Sequence, residues 1–133
     1  MKLKYLLICI LICVSTIFTA CGGSGDIDYD LSVTGFQFRY EMVTNMKTNP
    51  KEYKNKTIKI RGNLKNNGST YYYLTESDNI CCTWKMEVKL KDDTLNYPEG
   101  KNEDIIVIGN YLTYNKNGED KYYLQINEFV ENT

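Results

Sequence analysis

The chain contains no histidine, a single tryptophan and two prolines. Without histidine, it lacks the side chain that most often serves as a general base near neutral pH. It also has no Gly-x-Ser-x-Gly elbow and no glycine-rich phosphate loop. Its acidic pairs, such as Asp92-Asp93, lie in turn-like stretches and not as a buried pair. These absences predict that the protein has no catalytic residue and is not an enzyme.

Neither sign of charge dominates the sequence. Sixteen basic residues face 17 acidic ones, and the formal net charge is −1. Binding to a phosphate backbone depends on clustered lysine and arginine side chains. Nucleic acid is therefore an unlikely class of partner.

No apolar run approaches the roughly 20 residues that a membrane-spanning helix needs. A shorter one follows Lys2 and Lys4, because Tyr5 to Phe18 is almost continuously apolar. A positive start before a short apolar run is typical of a secretory signal peptide. We predict that residues 1–20 form such a peptide, and removing its two lysines leaves a more acidic chain.

The small residues Thr19 and Ala20 stand directly before Cys21. Together they resemble the lipobox of bacterial lipoproteins, although Phe18 replaces the usual leucine. The resemblance implies a diacylglycerol on the Cys21 thiol, an acylated (palmitate-type) first residue, and anchoring at the extracytoplasmic face of a bacterial cell membrane. Two acyl chains hold a protein stably at a membrane, whereas one does so only marginally. The alternative is an ordinary secretory peptide, or a small membrane anchor, with Cys21 incidental.

Cysteine is scarce in the remaining chain. Cys9 and Cys13 leave with the leader, so only Cys81 and Cys82 stay as thiols beside the lipidated Cys21. No distant pair exists that could close a loop, which excludes a disulfide framework. The expected bound group is the lipid on Cys21 alone, with no other cofactor.

The adjacent thiols Cys81 and Cys82 are the candidate redox or metal residues. Because neighbouring strand residues face opposite ways, we expect Cys82 to be buried beside Trp84 and Cys81 to face solvent. Three interpretations stay open: a structural role, a vicinal disulfide, and metal or partner binding through Cys81. Zinc usually takes four Cys or His ligands, so a metal would also need carboxylates such as those of Glu76, Asp78 or Glu87. We therefore name no set of metal ligands, and metal binding stays an alternative.

A helix is predicted after a flexible spacer at residues 21–32. Thr34 and Gln37 have capping-box spacing, and Val33 with Phe38 could form a hydrophobic staple. The apolar residues that follow recur at helical intervals, and Pro50 ends the pattern. The rival interpretation is a strand, since Phe36, Phe38, Tyr40 and Met42 also alternate.

From Lys56 onward the apolar period becomes two, which predicts strands separated by turns such as Asn66-Asn67-Gly68 and Asn115 to Gly118. Gly62 indicates a bulge or a close approach. The five predicted strands are Lys56–Leu64, Thr70–Thr75, Ile80–Leu90, Ile105–Tyr114 and Lys121–Val130. One helix followed by five antiparallel strands predicts a mainly β domain at residues 33–133 that closes into a small barrel.

Several segments together resemble a group of small exported bacterial proteins, many of them lipoproteins, with an OB-type barrel and a Cys-Cys motif. The matching segments are Tyr40–Met46, Asn49-Pro50, Tyr53–Lys56, Ile58–Gly62, Cys81-Cys82 with Glu87, Pro98 and Gly100, Ile106–Gly109 and Tyr122–Leu124. Asn55 and Lys85 depart from glycines in that pattern. The resemblance implies an OB-like fold with a helix at its N-terminal end, and it implies no mechanism.

The candidate ligand-facing aromatic residues are Tyr71, Tyr73 and Trp84. With Tyr72, Tyr111, Tyr114, Tyr122 and Tyr123 they could form the platform on which OB barrels stack ligands. The alternative is that tyrosine simply suits a half-exposed strand.

The leading functional prediction is a non-enzymatic binding or accessory module that is held at the membrane by its lipid and binds an unknown protein or small ligand. The competing prediction is an extracytoplasmic thiol-redox or metal-handling protein that acts through Cys81 and Cys82.

Overall fold

Six strands and two helices follow one another in the computed structural model, which describes residues 25–68, 72–100 and 102–131. The predicted signal peptide, Cys21 and Tyr71 lie outside these residues. The elements are β1 (Tyr29–Leu31), α1 (Phe36–Thr48), α2 (Pro50–Tyr53), β2 (Thr57–Asn66), β3 (Tyr72–Asp78), β4 (Cys82–Leu90), β5 (Ile105–Lys116) and β6 (Glu119–Val130). The prediction of a mainly β protein is confirmed.

The strands belong to one sheet with the order β1-β2-β3-β4-β6-β5, and β2 also pairs with β5. Strands β2 to β6 therefore pair in a closed cycle. Two pairings are parallel, β1 with β2 and β4 with β6. The prediction of five antiparallel strands is thus corrected to six strands in a mixed sheet, because a periodicity of two does not tell which neighbours a strand has.

Strand β1 lies where the sequence predicted a flexible spacer. Its residues pair with Ile58 to Ile60 of β2, and the same three residues pair with β5. A strand has two hydrogen-bonding edges, so β1 covers the edge opposite β5. Leu31 is 2% exposed. The spacer prediction is wrong for this segment, because three residues are too few to show a period.

Helix α1 confirms the helical interpretation of Phe36 to Met46, and it ends at Thr48, before Pro50. Its predicted caps are wrong. The N-cap is Gly35 without a side-chain bond, while the Thr34 hydroxyl donates to the Leu31 carbonyl. Val33 is 84% exposed, so it forms no staple. Pro50 instead begins α2, at a position where its missing N–H costs nothing.

Alternating side chains of the strands meet those of the helices in one core. Arg39, Val43 and Met46 form the buried face of α1, and the Tyr111 hydroxyl donates to the Met46 carbonyl over 3.1 Å. Gly62 makes the predicted close approach, because a Cβ atom there would lie 2.8 Å from the Trp84 ring. The buried face of α1 and the hydrogen bond from Tyr111 hold this helix against the sheet.

The β5–β6 hairpin turns at Asn117 and Gly118, whose φ angles are 56° and 85°. Two positive angles in succession are typical of the tight Asn-Gly hairpin turn that the sequence predicted. Within the described ranges, neither helix has the length and apolarity required to cross a bilayer.

Candidate functional site

The predicted aromatic residues separate into a buried set and an outer set. Trp84 and Tyr111 are each 2% exposed and belong to the core. The prediction that Trp84 faces a ligand is therefore wrong, because even-numbered positions of β4 point inward. Tyr122 is half-buried and stacks on Tyr111 at a centroid distance of 6.0 Å.

Tyr72 and Tyr73 point to opposite faces of β3, as the alternation predicted. Tyr72 stacks on Tyr97 of the loop after β4, with ring centroids 3.6 Å apart. Tyr73 lies on the outer face, where the Lys85 ammonium sits 3.9 Å above its ring centre. Of the two described candidates among the predicted ligand-facing aromatics, Tyr73 alone is thus available to a partner.

Two more tyrosines join Tyr73 on this surface. Lys89 Nζ lies 3.9 Å from the Tyr114 ring centre and 4.7 Å from that of Tyr123. The two rings meet edge to face at 5.7 Å. We call the set formed by Tyr73, Lys85, Glu87, Lys89, Tyr114 and Tyr123 the tyrosine face.

Strand register explains why these residues converge. Tyr73 is the cross-strand partner of Glu87, and Val88 is the partner of Leu124, so Tyr123 comes level with Glu87 from the other side. Tyr114 reaches the same place from the paired strand β5. Tyr73, Glu87 and Tyr123 thus lie in one row across three strands, and Tyr114, the partner of Lys121, approaches diagonally from β5. The register brings together residues up to 50 positions apart, which no local pattern could show.

Glu87 lies at the centre of the tyrosine face. The Tyr114 hydroxyl donates to its carboxylate over 3.1 to 3.2 Å, and Lys89 Nζ lies 3.5 Å from Glu87 Oε1. Burial first, then the nearby Glu87 charge, raises the pKa of Tyr114, so its phenol keeps its proton and stays a donor. From the sequence, Glu87 was named as a possible metal ligand and as part of the Cys-Cys resemblance, and Lys89 was not singled out.

A second polar network lies between α1 and the strands. Arg39 Nε and Nη2 each donate over 2.7 Å to the carboxylate of Glu76, and Trp84 Nε1 donates to it over 3.1 Å. Arg39 also donates to the Thr34 carbonyl. The hydrogen bond from Arg39 is the main cause that lowers the pKa of Glu76. The predicted strand ended at Thr75, but β3 extends past Glu76 to Asp78.

The sequence missed Arg39, although a signal existed. Arg39 precedes Val43 by four and Met46 by seven positions, which places it on the apolar face of α1. A charged residue on that face indicates a buried partner. Only the fold could identify that partner as Glu76, 37 positions away.

The adjacent thiols lie at the tip of the β3–β4 hairpin. Cys81 is exposed, as predicted, and Cys82 is half-buried and not fully buried. Strand β4 begins at Cys82, and Ile80 is 89% exposed in the turn. The sequence predicted opposite directions for the two thiols, yet their sulfur atoms are 2.8 Å apart, because Cys81 belongs to the turn.

Two shallow clefts flank the loop between β4 and β5. One of about 600 Å³ is bordered by Asn66, Tyr72, Asn96, Tyr97, Glu99 and Asn102. The other, of about 470 Å³, is bordered by Glu103, Ile105, Phe129 and their neighbours. The stacking of Tyr72 on Tyr97 occupies one face of each of these rings.

The carboxylates named as possible metal ligands do not gather around the thiols. Glu76 binds Arg39, Glu87 accepts from Tyr114, and Asp78 Oδ1 accepts from the Ile80 amide over 3.1 Å. Across residues 25–68, 72–100 and 102–131, no three side chains of the His, Cys, Asp and Glu types form a group suited to a metal ion.

Comparison of the chain with known protein families, with curated proteins and with solved structures finds no match. The function must therefore be argued from the chain's own residues.

Proposed function

We propose that the protein is a non-enzymatic binding module, an OB-like barrel whose tyrosine face binds a protein partner. Two features support the fold part of this proposal. Strands β2 to β6 pair in a closed cycle, and the parallel β4–β6 pairing has the place that the third and fifth strands have in an OB barrel. The β3 and β4 surface that such barrels use for binding carries Tyr73, Lys85, Glu87 and Lys89.

The chemistry of the tyrosine face favours a protein surface. Tyrosine is enriched at protein interfaces, because its ring supplies apolar area while its hydroxyl makes hydrogen bonds. Few rotamers are lost when such a ring is buried by a partner, so rigid tyrosines dominate many binding surfaces. Both signs of charge are present, which is suited to the mixed charges of a protein and not to a phosphate backbone.

The tyrosine face is also ordered before any partner arrives. Lys85 and Lys89 each sit over an aromatic ring, and the Tyr114 hydroxyl is bound by Glu87. Cation–π contacts at exposed sites contribute about 0.5–1 kcal/mol each. Side chains that are already held in place lose less entropy on binding, which strengthens association.

We also propose a cellular location for the protein, based on the predicted signal peptide. The protein would be a bacterial lipoprotein, anchored through the lipid on Cys21 and acting outside the cytoplasm. The support is the sequence around Cys21 and the resemblance to small exported lipoproteins. The absence of histidine and the engagement of Glu76 and Glu87 in hydrogen bonds support a role without catalysis.

The test is site-specific photo-crosslinking in cells. A photoreactive phenylalanine analogue at Leu112, the cross-strand partner of Tyr123, should yield one discrete protein adduct. The same analogue at Glu41, exposed on α1, should yield none. The double variant Tyr114→Ala, Tyr123→Ala should abolish the Leu112 adduct, and Phe38→Ala, which removes an exposed apolar residue elsewhere, should leave it unchanged.

Adducts of equal yield at Leu112 and Glu41, or no adduct at either, would contradict the proposed surface. A glycan array and a single-stranded oligonucleotide test the other ligand classes. Binding of either through Tyr114 and Tyr123 would replace a protein partner by that ligand. A mature N-terminus without acyl chains on Cys21, seen by mass spectrometry, would contradict the anchor alone.

A further inference from the structure

The β3–β4 hairpin carries two adjacent thiols that are not part of the tyrosine face. Asp78 Oδ1 accepts from the Ile80 amide and shapes the turn, and Ile80 is 89% exposed. Cys81 follows in the same turn, and Cys82 is the first residue of β4. A large apolar residue and an exposed thiol therefore stand side by side at the tip of a hairpin, where a reactant can approach.

The two sulfur atoms are already within contact. Their separation of 2.8 Å allows one thiol to donate a hydrogen bond to the other. This contact with Cys81 is the main cause that raises the pKa of Cys82, and burial and the charges of Cys81 and Asp78 add to it. Cys82 therefore holds its proton more firmly, and the exposed Cys81 sulfur is the one that a reactant can reach.

We propose that Cys81 and Cys82 are a vicinal-dithiol redox site, which is oxidised to a disulfide between adjacent residues by exchange with low-molecular-weight disulfides. The geometry that carries this inference is the contact of two sulfur atoms at an exposed turn. A metal role is less suited to the site, because the neighbouring carboxylates of Asp78 and Glu76 are held by the Ile80 amide and by Arg39.

The exchange proceeds in two steps and transfers two electrons. The Cys81 thiol gives up its proton, and its sulfur attacks one sulfur of the small disulfide, forms a mixed disulfide and releases one small thiolate, which takes up that proton. Cys82 then loses its proton and attacks the Cys81 sulfur, and the second small thiol leaves with that proton. The protein gains one S–S bond and loses two hydrogen atoms, and the small disulfide is reduced to two thiols.

Because Cys81 and Cys82 are neighbours in the chain, a disulfide between them is easily reduced again. Successive Cα atoms are about 3.8 Å apart, below the roughly 4.4–6.8 Å that an unstrained disulfide spans. The distortion falls on the Cys81–Cys82 link, at the point where Cys82 begins its pairing with Asp78. Strained and exposed disulfides are more oxidising than structural ones, and they act in exchange and not as permanent links.

The test uses the full-length chain equilibrated in buffers with increasing ratios of oxidised to reduced glutathione, then acid-quenched, alkylated and digested with trypsin. The peptide of residues 66–85, between Lys65 and Lys85, contains Cys81 and Cys82 and none of the other cysteines. We expect it to change in one step from doubly alkylated to unalkylated, with the mass of two hydrogen atoms lost. In Cys82→Ser, the second step is blocked, and we expect one glutathione to remain on Cys81.

Doubly alkylated peptide at every ratio would overturn the proposal. So would glutathione on both cysteines without an internal bond, or a disulfide that joins two chains. Circular dichroism shows whether the Cys82→Ser variant is folded. If it is not, the glutathione titration of the wild-type chain still tests the proposal by itself. None of these outcomes depends on the tyrosine face.

Discussion

Trp84 packs in the core because Gly62 of β2, which lies against its ring, has no side chain. The ring atom nearest to the site of a Cβ atom is 2.8 Å away, and the Thr75 carbonyl is 3.3 Å away. The Trp84 indole N–H is in turn held by Glu76, so the ring has little freedom to move aside. A single glycine thus lets the largest core side chain and the buried ion pair coexist.

Gly62→Ala should lower the free energy of unfolding by about 1–3 kcal/mol, because one added methyl overpacks the core against the Trp84 ring. Gly25→Ala is the matched control, since nothing lies within 4 Å of its Cβ position. Urea denaturation followed by Trp84 fluorescence measures both. Equal stability of the two variants would mean that the ring is not confined by Gly62.

The ion pair between Arg39 and Glu76 predicts a pH dependence. The pKa of Glu76 is lowered in the folded state, chiefly by the hydrogen bond from Arg39. The stabilisation is therefore complete above the pKa of an unfolded glutamate and is lost as the pH falls through the lower, folded value. In Glu76→Gln, the acid-side decline of the unfolding free energy should be shallower, as measured by urea denaturation across a pH series.

Glu119→Gln is the control for this series, because Glu119 is exposed and pairs only locally with Lys121. The Arg39 side chain is only 8% exposed, whereas the Lys121–Glu119 pair is exposed. Exposed ion pairs contribute little to the free energy of unfolding. If both variants decline with pH like the wild type, Glu76 is not a main source of the acid sensitivity.

At the scale of elements, β1 shows how a short segment can complete a sheet. It pairs in parallel with the part of β2 that β3 leaves free, and Asp30 lies 3.8 Å from Lys59 at this edge. Asp28 completes the pairing through its bonds with the Thr57 backbone. An uncovered strand edge is a site for association with other chains. Strand β1 covers this edge of β2, and the sheet then ends in a strand of three residues, which is a short edge.

Leu31→Ala should cost about 2–5 kcal/mol of unfolding free energy, the usual cost of truncating a buried leucine. Asp26→Ala, at an exposed position just before β1, should cost nothing measurable. Thermal unfolding by circular dichroism compares the two variants. A Leu31→Ala protein as stable as wild type would restore the flexible spacer predicted for residues 21–32.

At the scale of the whole molecule, the core joins every element. Leu31 of β1, Val43 of α1 and Tyr53 of α2 belong to the same buried cluster as the residues of the five longer strands. A domain with one core usually unfolds in a single cooperative step. No element in the described ranges packs on a separate core of its own.

Unfolding should therefore follow the same urea curve by Trp84 fluorescence, which reports the inner face of β4, and by far-UV circular dichroism, which reports all strands. An earlier fluorescence transition would show that the α1 contact opens before the sheet. Tyr114→Ala should leave both curves coincident, because the tyrosine face lies outside the core.

Much of the fold could be predicted from the sequence because the forces that decide it are local. Alternation predicted β2 to β6, since a half-buried strand buries every second side chain, and helical spacing predicted α1. Asn117-Gly118 predicted its own turn, because few residue pairs accept two positive φ angles. The exposure of Cys81 was predicted from the alternation of strand residues, although Cys81 lies in the turn before β4.

The predictions that failed concern features that a local sequence pattern does not show. The extra strand β1 and the burial of Trp84 away from any ligand were not predicted correctly, because each depends on which distant segment packs nearby. The predicted cap failed because the Thr34 hydroxyl bonds to the Leu31 carbonyl and Gly35 is the N-cap.

The sequence by itself determined the five longer strands, helix α1 and the adjacent thiols, since periodicity and chain neighbours are local properties. Tertiary structure alone decided that Tyr73, Glu87, Tyr114 and Tyr123 share one surface and that Arg39 meets Glu76. The physical reason is register: hydrogen bonding between strands far apart in the chain sets which side chains become neighbours, and burial then selects the partners.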